Sequence, residues 1–269
     1  MLLVNGSSVT KVSAQDRGLT LGDGMFTTLH LKNHQPQLWK FHIQRLREGC
    51  ARLKLPLPDL DSLYEQCCQL AAGDDEACGK IIITRGSGGR GYSPQGCQSP
   101  TIIVSSHPYP VHYNVWQQQG ICLGVAEQRL GWQPMLAGLK TLNRLEQVLL
   151  KDELDSRGMA EAVVLDWQGN VVEAVTANLF WRKNNRFFTP DLQQSGVCGV
   201  MRAFVIQQLA DWQYVVESVS SELDILLDAD EVWMTNALMG IVPVTGIKDV
   251  KYEDHRFAKR LQNALAALA

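Results

Sequence analysis

The sequence predicts an α/β protein built from two domains, and three observations predict it. Strand-like and helix-like segments alternate along the whole chain, and 269 residues are enough for two hydrophobic cores. Near the middle, Pro108-Tyr109-Pro110 and Gln117-Gln118-Gln119-Gly120 interrupt the alternation with turn-forming and polar residues. The division is therefore expected as a small α/β domain over 1–107, a connection over 108–120 and a larger domain over 121–269.

Composition narrows the function classes. Hydrophobic residues at 45% and charged residues at 20% belong to an ordered globular chain. A net charge of −3 with interspersed signs offers no basic face to nucleic acid and no polybasic patch to a membrane. Met1 to Gly6 lacks the basic and apolar regions of an export signal, and no apolar run approaches membrane-spanning length. Seven cysteines, an odd number without CxxC spacing, are expected as reduced thiols in a cytoplasm. Six histidines show no ligand spacing, so no metal is expected.

Residues 1–6 predict a short strand closed by an Asn-Gly turn, and Met25 to Leu31 a second strand. Three glycines between Asp16 and Gly24 predict a tight loop rather than an element. The segment from His42 to Leu53 has the spacing of an amphipathic helix, with Ile43, Leu46 and Leu53 inward and Arg45, Arg47 and Glu48 on the polar side. Asp59 caps a predicted helix that runs to Ala72. Strands follow over Lys80 to Thr84 and Thr101 to Ser105. The glycine-rich loop Arg85 to Tyr92 between them is not Walker-like, and it suits a flexible loop that offers guanidinium groups to a carboxylate.

Beyond the connection, Ile121 to Glu127 reads as a strand. The stretch from Ala137 to Glu146 is expected to enter a helix that ends near Gly158, with Leu139, Leu142, Leu145, Val148, Leu149 and Leu154 on one core face. Lys140 then starts that face. Desolvation beside packed leucines favours the neutral amine, which attacks carbonyl carbon. Ala162 to Asp166, Val171 to Ala174 and Asn178 to Arg182 predict a meander that continues into Phe187-Phe188. Gly196 to Arg202 leads into a helix through about Trp212, whose first N–H groups are open to an anion. The strand Glu231 to Thr235 gives way at Asn236 to Gly240 to a second turn with free N–H groups. Ile241 to Thr245, Ile247 to Val250 and a helix from about Asp254 close the chain.

Lys140, Glu173 to Phe180, Gly199 to Arg202 and His42 to Leu46 together resemble the fold-type-IV pyridoxal-phosphate enzymes. This family comprises branched-chain aminotransferases, D-amino acid transaminases and 4-amino-4-deoxychorismate lyases. The resemblance covers essentially the whole chain. Gly22 to Thr28, Arg85 to Tyr92 and Leu139 to Gln147 are most similar to the lyase branch. It implies a small α/β domain, a larger barrel-like domain of mixed sheet with helices, and pyridoxal 5'-phosphate as cofactor. It also implies a homodimer with its active site at the domain interface and partly lined by the partner chain.

Carried over by position, the resemblance implies that Lys140 forms the internal aldimine and then acts as base. Glu173 would pair with the pyridine nitrogen, keeping it protonated so that the ring accepts electrons. Arg45 would bind the phosphate, with further donors from the backbone of Val200 and Met201 and from the Asn236-Ala237 turn. Asn178 would support the cofactor, from behind or by direct contact. Thr28 would stand over the cofactor and relay a proton, and Arg90 and Tyr92 would hold substrate carboxylates. Leu145 occupies the place where the branched-chain enzymes carry tyrosine. The implied reaction converts 4-amino-4-deoxychorismate to 4-aminobenzoate and pyruvate. The alternatives are a D-amino acid or branched-chain aminotransferase, and a nucleotide-binding module that uses Arg85 to Tyr92 without chemistry.

Overall fold

In the computed structural model, which describes residues 1–73, 75–97 and 99–268, the chain divides into two units. The first comprises Met1–Pro110 with Leu139–Asn143, and the second Val111–Gly138 with Arg144–Leu268. Both mix helices and sheet, the α/β class expected.

The first unit runs β1 (Leu2–Val4), α1 (Arg17–Leu21), β2 (Gly24–Lys32), β3 (Gln35–Pro36), α2 (Trp39–Leu53), α3 (Leu60–Ala71), β4 (Glu76–Thr84) and β5 (Thr101–Pro108). Its sheet has the order β1-β5-β4-β2-β3 and is antiparallel throughout. Period-two alternation sends Met25, Leu29, Leu31, Ile81, Ile83 and Val104 into one core with Leu46, Leu63 and Leu70 of the helices. The other face therefore carries Phe26, Thr28, Lys80 and Ile82, with Thr28 opposite Lys80 and Lys80 opposite Ser105. Strands β4 and β5 exceed the lengths expected from pattern because their register continues to Ala77 opposite Pro108.

The expected loop at 16–24 contains α1, which the Asp16 side chain caps by accepting from Gly18 N. Asp16 is buried and also accepts from Thr84 Oγ1 at 3.0 Å and Thr101 Oγ1 at 2.6 Å. One carboxylate thus ties three separate segments together.

The second unit runs α4 (His112–Gln119), β6 (Ile121–Val125), α5 (Leu145–Ser156), β7 (Ala162–Leu165), β8 (Val171–Ala174), β9 (Asn178–Lys183), β10 (Arg186–Pro190), α6 (Val200–Asp211), β11 (Val216–Val219), α7 (Leu223–Leu227), β12 (Glu231–Asn236), β13 (Gly240–Ile247), β14 (Val250–Lys251) and α8 (Arg256–Ala266). Its sheet has the order β11-β10-β9-β12-β13-β6-β7-β8, with β14 paired to β13. Pairing is parallel at β10/β11, β13/β6 and β6/β7. Leu123, Val163, Leu179, Trp181, Met234 and Val244 build its main core. Buried Arg182 bonds to Asp254 at 2.7 Å, to Asp230 at 3.3 Å and to Glu231 at 3.4 Å, which joins β9 to β12 and to the start of α8.

Three expectations need correction. The connection at 108–120 contains a helix, α4. The meander is interrupted, because β8 pairs with β7 whereas β9 pairs with β10 and β12. The helix expected from Ala137 begins only at Leu145. Residues Leu139–Asn143 instead run beside β2, where Phe26 N donates to Lys140 O at 2.9 Å and Leu142 N to Gly24 O at 3.0 Å. Backbone groups spent on a strand cannot close helical turns. Leu150 and Leu154 are the buried positions of α5, while Leu145, Val148 and Leu149 are exposed. Among the described residues no helix is long and apolar enough to cross a membrane.

Candidate active site

In the first unit, Lys140 is fixed by its own backbone. Thr141 bridges Met25 and the Asn143 side chain donates to Gly22 O at 3.1 Å, so the short strap is pinned on both sides of the lysine. The Lys140 ammonium lies 4.8 Å from the centre of the Phe26 ring, whose face attracts a cation. Thr28 is half-buried on the same sheet face, two positions along from Phe26. The structure therefore gathers Lys140 and Thr28 on the face that α2 and α3 leave uncovered.

Arg45, on α2, donates to Thr27 Oγ1 at 3.3 Å, and Thr27 Oγ1 lies 2.7 Å from Nδ1 of buried His42. Burial and the Arg45 charge hold His42 well below the ordinary histidine value, so its ring is neutral. The Thr27 hydroxyl accepts from Arg45 and shares a hydrogen bond with His42 Nδ1, so buried His42 fixes the oxygen to which the guanidinium is held.

The glycine-rich loop differs from expectation. Arg85 is not offered to a ligand. It holds Asp23 through Nε at 2.7 Å and Nη2 at 3.0 Å, and donates to Leu53 O and Lys54 O at the end of α2. Burial raises the Asp23 carboxyl, but the hydrogen bonds and charges of Arg85 and Arg17 outweigh it and hold the group below the usual range. Arg17 also donates to the carbonyls of Gly91, Tyr92 and Ser93, so the loop is tethered rather than free. Arg90 is exposed and Tyr92 is 90% exposed, and the structure does not bring them to Lys140.

In the second unit, Glu173 is buried near the end of β8 and accepts from Val197 N at 2.9 Å. Asn178, at the start of β9, donates to Val197 O at 2.7 Å. The two side chains grip the same peptide segment from either side. Gly199 is packed so closely that a Cβ there would stand 2.0 Å from Asn178 Oδ1. This segment leads straight into α6, whose first residues are Val200 and Met201. Their side chains are buried and no side chain caps the helix, so its N-terminal dipole is left for an anion.

The turn after β12 is less open than expected. Asn236 Oδ1 accepts from Leu238 N at 2.9 Å and Met239 N at 2.8 Å, which consumes two of the N–H groups read as free. Asn236 Nδ2 donates to Thr176 O, so this turn braces the one between β8 and β9, and Ala237 stands at its tip.

Three supporting residues escaped the sequence reading. Glu161 is buried and accepts from Ala162 N, Val175 N, Thr176 N and Thr176 Oγ1, shaping the turn that carries Glu173 and Asn178. Burial pushes its carboxyl up despite these four donors. Arg144 lines a cavity of about 30 Å³ with Glu146, Gln147, Ser195 and Gly196. Burial draws its guanidinium below the usual value while the charges of Glu173 and Glu146 oppose the shift. Lys80 is the third, and only the β2/β4 register reveals it.

Comparison with known proteins places this geometry in a family. The profile described as Amino-transferase class IV matches residues 24–247. An aminodeoxychorismate lyase from Vibrio harveyi is 43% identical over 269 residues, covering 98% of this chain and 99% of its own. A putative branched-chain-amino-acid aminotransferase from Methanocaldococcus jannaschii is 31% identical, covering 90% of this chain and 86% of its own. The crystal structure of 4-amino-4-deoxychorismate lyase from Pseudomonas aeruginosa superposes with a TM-score of 0.92 at 37% identity, covering 99% of this chain and 98% of its own. On a profile spanning most of the chain and a full-length relative at 43% identity, the chain belongs to the class IV aminotransferase family.

Proposed function

We propose that this protein is a pyridoxal-phosphate-dependent lyase that converts 4-amino-4-deoxychorismate to 4-aminobenzoate and pyruvate. The observation that carries the reading is Lys140, held by β2 with its ammonium beside Phe26 and on the same face as Thr28. The full-length likeness to the Vibrio harveyi and Pseudomonas aeruginosa lyases supports it. The donor set also fits the cofactor. A lysine suits its aldehyde, a buried carboxylate its ring nitrogen, and an arginine with an uncapped helix N-terminus its phosphate.

In this reading Lys140, Glu173, Arg45 and the backbone of Val200 and Met201 hold the cofactor, with Asn178 and the Asn236-Ala237 turn supporting them. When bound, the cofactor supplies an electron sink for the carbon that bears the substrate nitrogen. Glu173 keeps a proton on the ring nitrogen, and its hydrogen bond from Val197 N fixes the carboxylate's direction. The Lys140 amine takes the proton from the carbon that bears nitrogen, because the strap limits its reach to that side of the sheet. The Thr28 hydroxyl relays that proton from Lys140 to the departing enolpyruvyl group, so that pyruvate leaves with the proton removed from the substrate carbon and both side chains regain their starting states. Arg90 and Tyr92, on the loop that Arg17 tethers, are the substrate-carboxylate ligands of this reading.

The test is to incubate the purified protein with 4-amino-4-deoxychorismate and follow both products, after borohydride trapping of the cofactor. Equal yields of 4-aminobenzoate and pyruvate are expected, and Lys140→Ala should abolish both trapping and turnover. Retained lyase activity in that variant would overturn the assignment. Exchange of amino and keto acids in place of those products would move the reading to the aminotransferase branch.

The chain is also proposed to act as a cytoplasmic homodimer. The exposed apolar side chains Leu145, Val148 and Leu149 on α5 support pairing, and seven unbridged thiols support a reducing compartment. Light scattering should return twice the chain mass, and a monomer at working concentrations would refute the pairing.

A further inference from the structure

We propose that Glu161 is a positioning residue that couples the two ends of the cofactor cradle, the carboxylate for the ring nitrogen and the turn beside the phosphate. The inference rests on the cofactor assignment of the lyase reading and extends it to a buried residue that no motif marked.

Glu161 immediately precedes β7, and its carbonyl accepts from Gly124 N at 3.1 Å, so its main chain is fixed to β6. Its side chain reaches the turn between β8 and β9, Ala174 to Ala177, whose end residues exchange N–H···O bonds of 2.7 and 3.3 Å. Oε1 accepts from Ala162 N at 3.1 Å and Val175 N at 2.8 Å. Oε2 accepts from Thr176 N at 3.1 Å and Thr176 Oγ1 at 2.6 Å. Backbone N–H groups face both oxygens, and only a carboxylate offers acceptors alone on both sides. A glutamine would aim N–H at N–H whichever way its amide turned.

The flanks of this turn carry the groups assigned to the ring. Glu173 stands one residue before Ala174 and Asn178 one after Ala177, and they take Val197 N at 2.9 Å and Val197 O at 2.7 Å. On the far side, Thr176 O accepts from Asn236 Nδ2 at 3.1 Å, while Asn236 Oδ1 holds Leu238 N and Met239 N. Thr176 is thus gripped by Glu161 through its N–H and hydroxyl, and it braces the Asn236-Ala237 turn through its carbonyl. Val175 packs into a core, but Thr176 is exposed and depends on these hydrogen bonds for its place. Loosening Thr176 therefore releases the brace on Asn236 and the turn that aims Glu173 together. A ligand group is placed well only where the groups behind it are locked.

The test is cofactor titration of the full-length protein freed of its cofactor, wild type against Glu161→Gln and Thr176→Val, followed by absorbance. Three forms serve as probes: pyridoxal phosphate, its 1-deaza analogue with carbon in place of the ring nitrogen, and pyridoxal without the phosphate. In the wild type, pyridoxal phosphate should bind more tightly than either analogue. In Glu161→Gln its preference over the deaza analogue should fall about ten-fold, the scale of a hydrogen bond to a charged group. Its preference over pyridoxal should fall about three-fold, the scale of a neutral hydrogen bond. Thr176→Val, which removes one donor at an exposed position, should lower both preferences by smaller factors. It decides the matter where Glu161→Gln does not fold.

Unchanged affinities, or weakening shared equally by the three forms, would leave Glu161 a role in the fold alone and overturn the inference. A fall in one preference with the other unchanged would break the link between the two ends and overturn it as well. Either result beside a wild type that prefers pyridoxal phosphate removes only Glu161. A wild type that takes up none of the three forms removes the lyase reading and this inference together.

Discussion

Individual side chains in this protein are held by groups far away in sequence, and that sets their chemistry. Asn178 and Gly199 show the coupling. The amide bonds Val197 O, and its oxygen occupies the space where a Cβ at Gly199 would fall, 2.0 Å away. Gly199→Ala is therefore expected to cost about 1–3 kcal/mol in urea unfolding. The double variant with Asn178→Ala should lose less than the sum of the two single variants, because the second change removes the obstruction. Strict additivity would mean that Oδ1 is not the obstacle. Thiols give a second test. Burial pushes Cys50 up to about 11 and Cys67 up to about 12, while Cys122 and Cys198 are exposed. A thiol-disulfide reagent at neutral pH should label Cys122 and Cys198 first and reach Cys50 and Cys67 only on unfolding. Early labelling of Cys67, read by peptide mapping, would contradict the burial assigned to it.

At the level of elements, local signals were legible and long-range ones were not. Asp59 was readable as a cap because the signal lies within four residues, and its carboxylate accepts from Asp61 N and Ser62 N at 3.0 and 3.1 Å. Asp59→Ala should lower stability by about 1 kcal/mol, and Asp59→Ser should recover most of it, measured by thermal unfolding. The segment around Lys140 misled the same method. Its leucines keep helical spacing, yet β2 claims the backbone of Leu139–Asn143, and a strand partner over a hundred residues away leaves no mark in a local window. Lys80 and Glu161 were missed for the same reason. One acquires its place from cross-strand register, the other from a turn that follows it by fourteen residues.

For the molecule as a whole, the α/β class was legible because alternation of element types survives errors at individual boundaries. The order of the second unit's strands was not, since pairing such as β13 with β6 joins segments separated by most of that unit. Its tie points are electrostatic as well as apolar, and this gives an acid dependence. The hydrogen bond from Arg256, helped by the charges of Arg256 and Arg182, holds Asp254 at about 2 against its ordinary 3.8. A carboxyl depressed on folding stabilises the fold above its unfolded value, and the contribution is lost as pH falls from near 3.8 through about 2. Thermal midpoints should fall across that window, and in Arg256→Ala the fall should start from a lower midpoint, be smaller and end at higher pH. Matching profiles for the two proteins would exclude this pair as a contributor.

The five-residue strap has a consequence for how the gene can be cut. Because Leu139–Asn143 belongs with Met1–Pro110 while both flanking segments belong to the other unit, the polypeptide passes between units three times. No single cleavage yields two self-sufficient pieces. A fragment ending at Pro110 lacks the segment that supplies Lys140 O to Phe26 N and takes Gly24 O through Leu142 N. Lys140 is thus inherited on the same stretch of coding sequence as one unit and built into the architecture of the other. Recombination that exchanged only the continuous piece Met1–Pro110 would separate Lys140 from Thr28, which shares its sheet face.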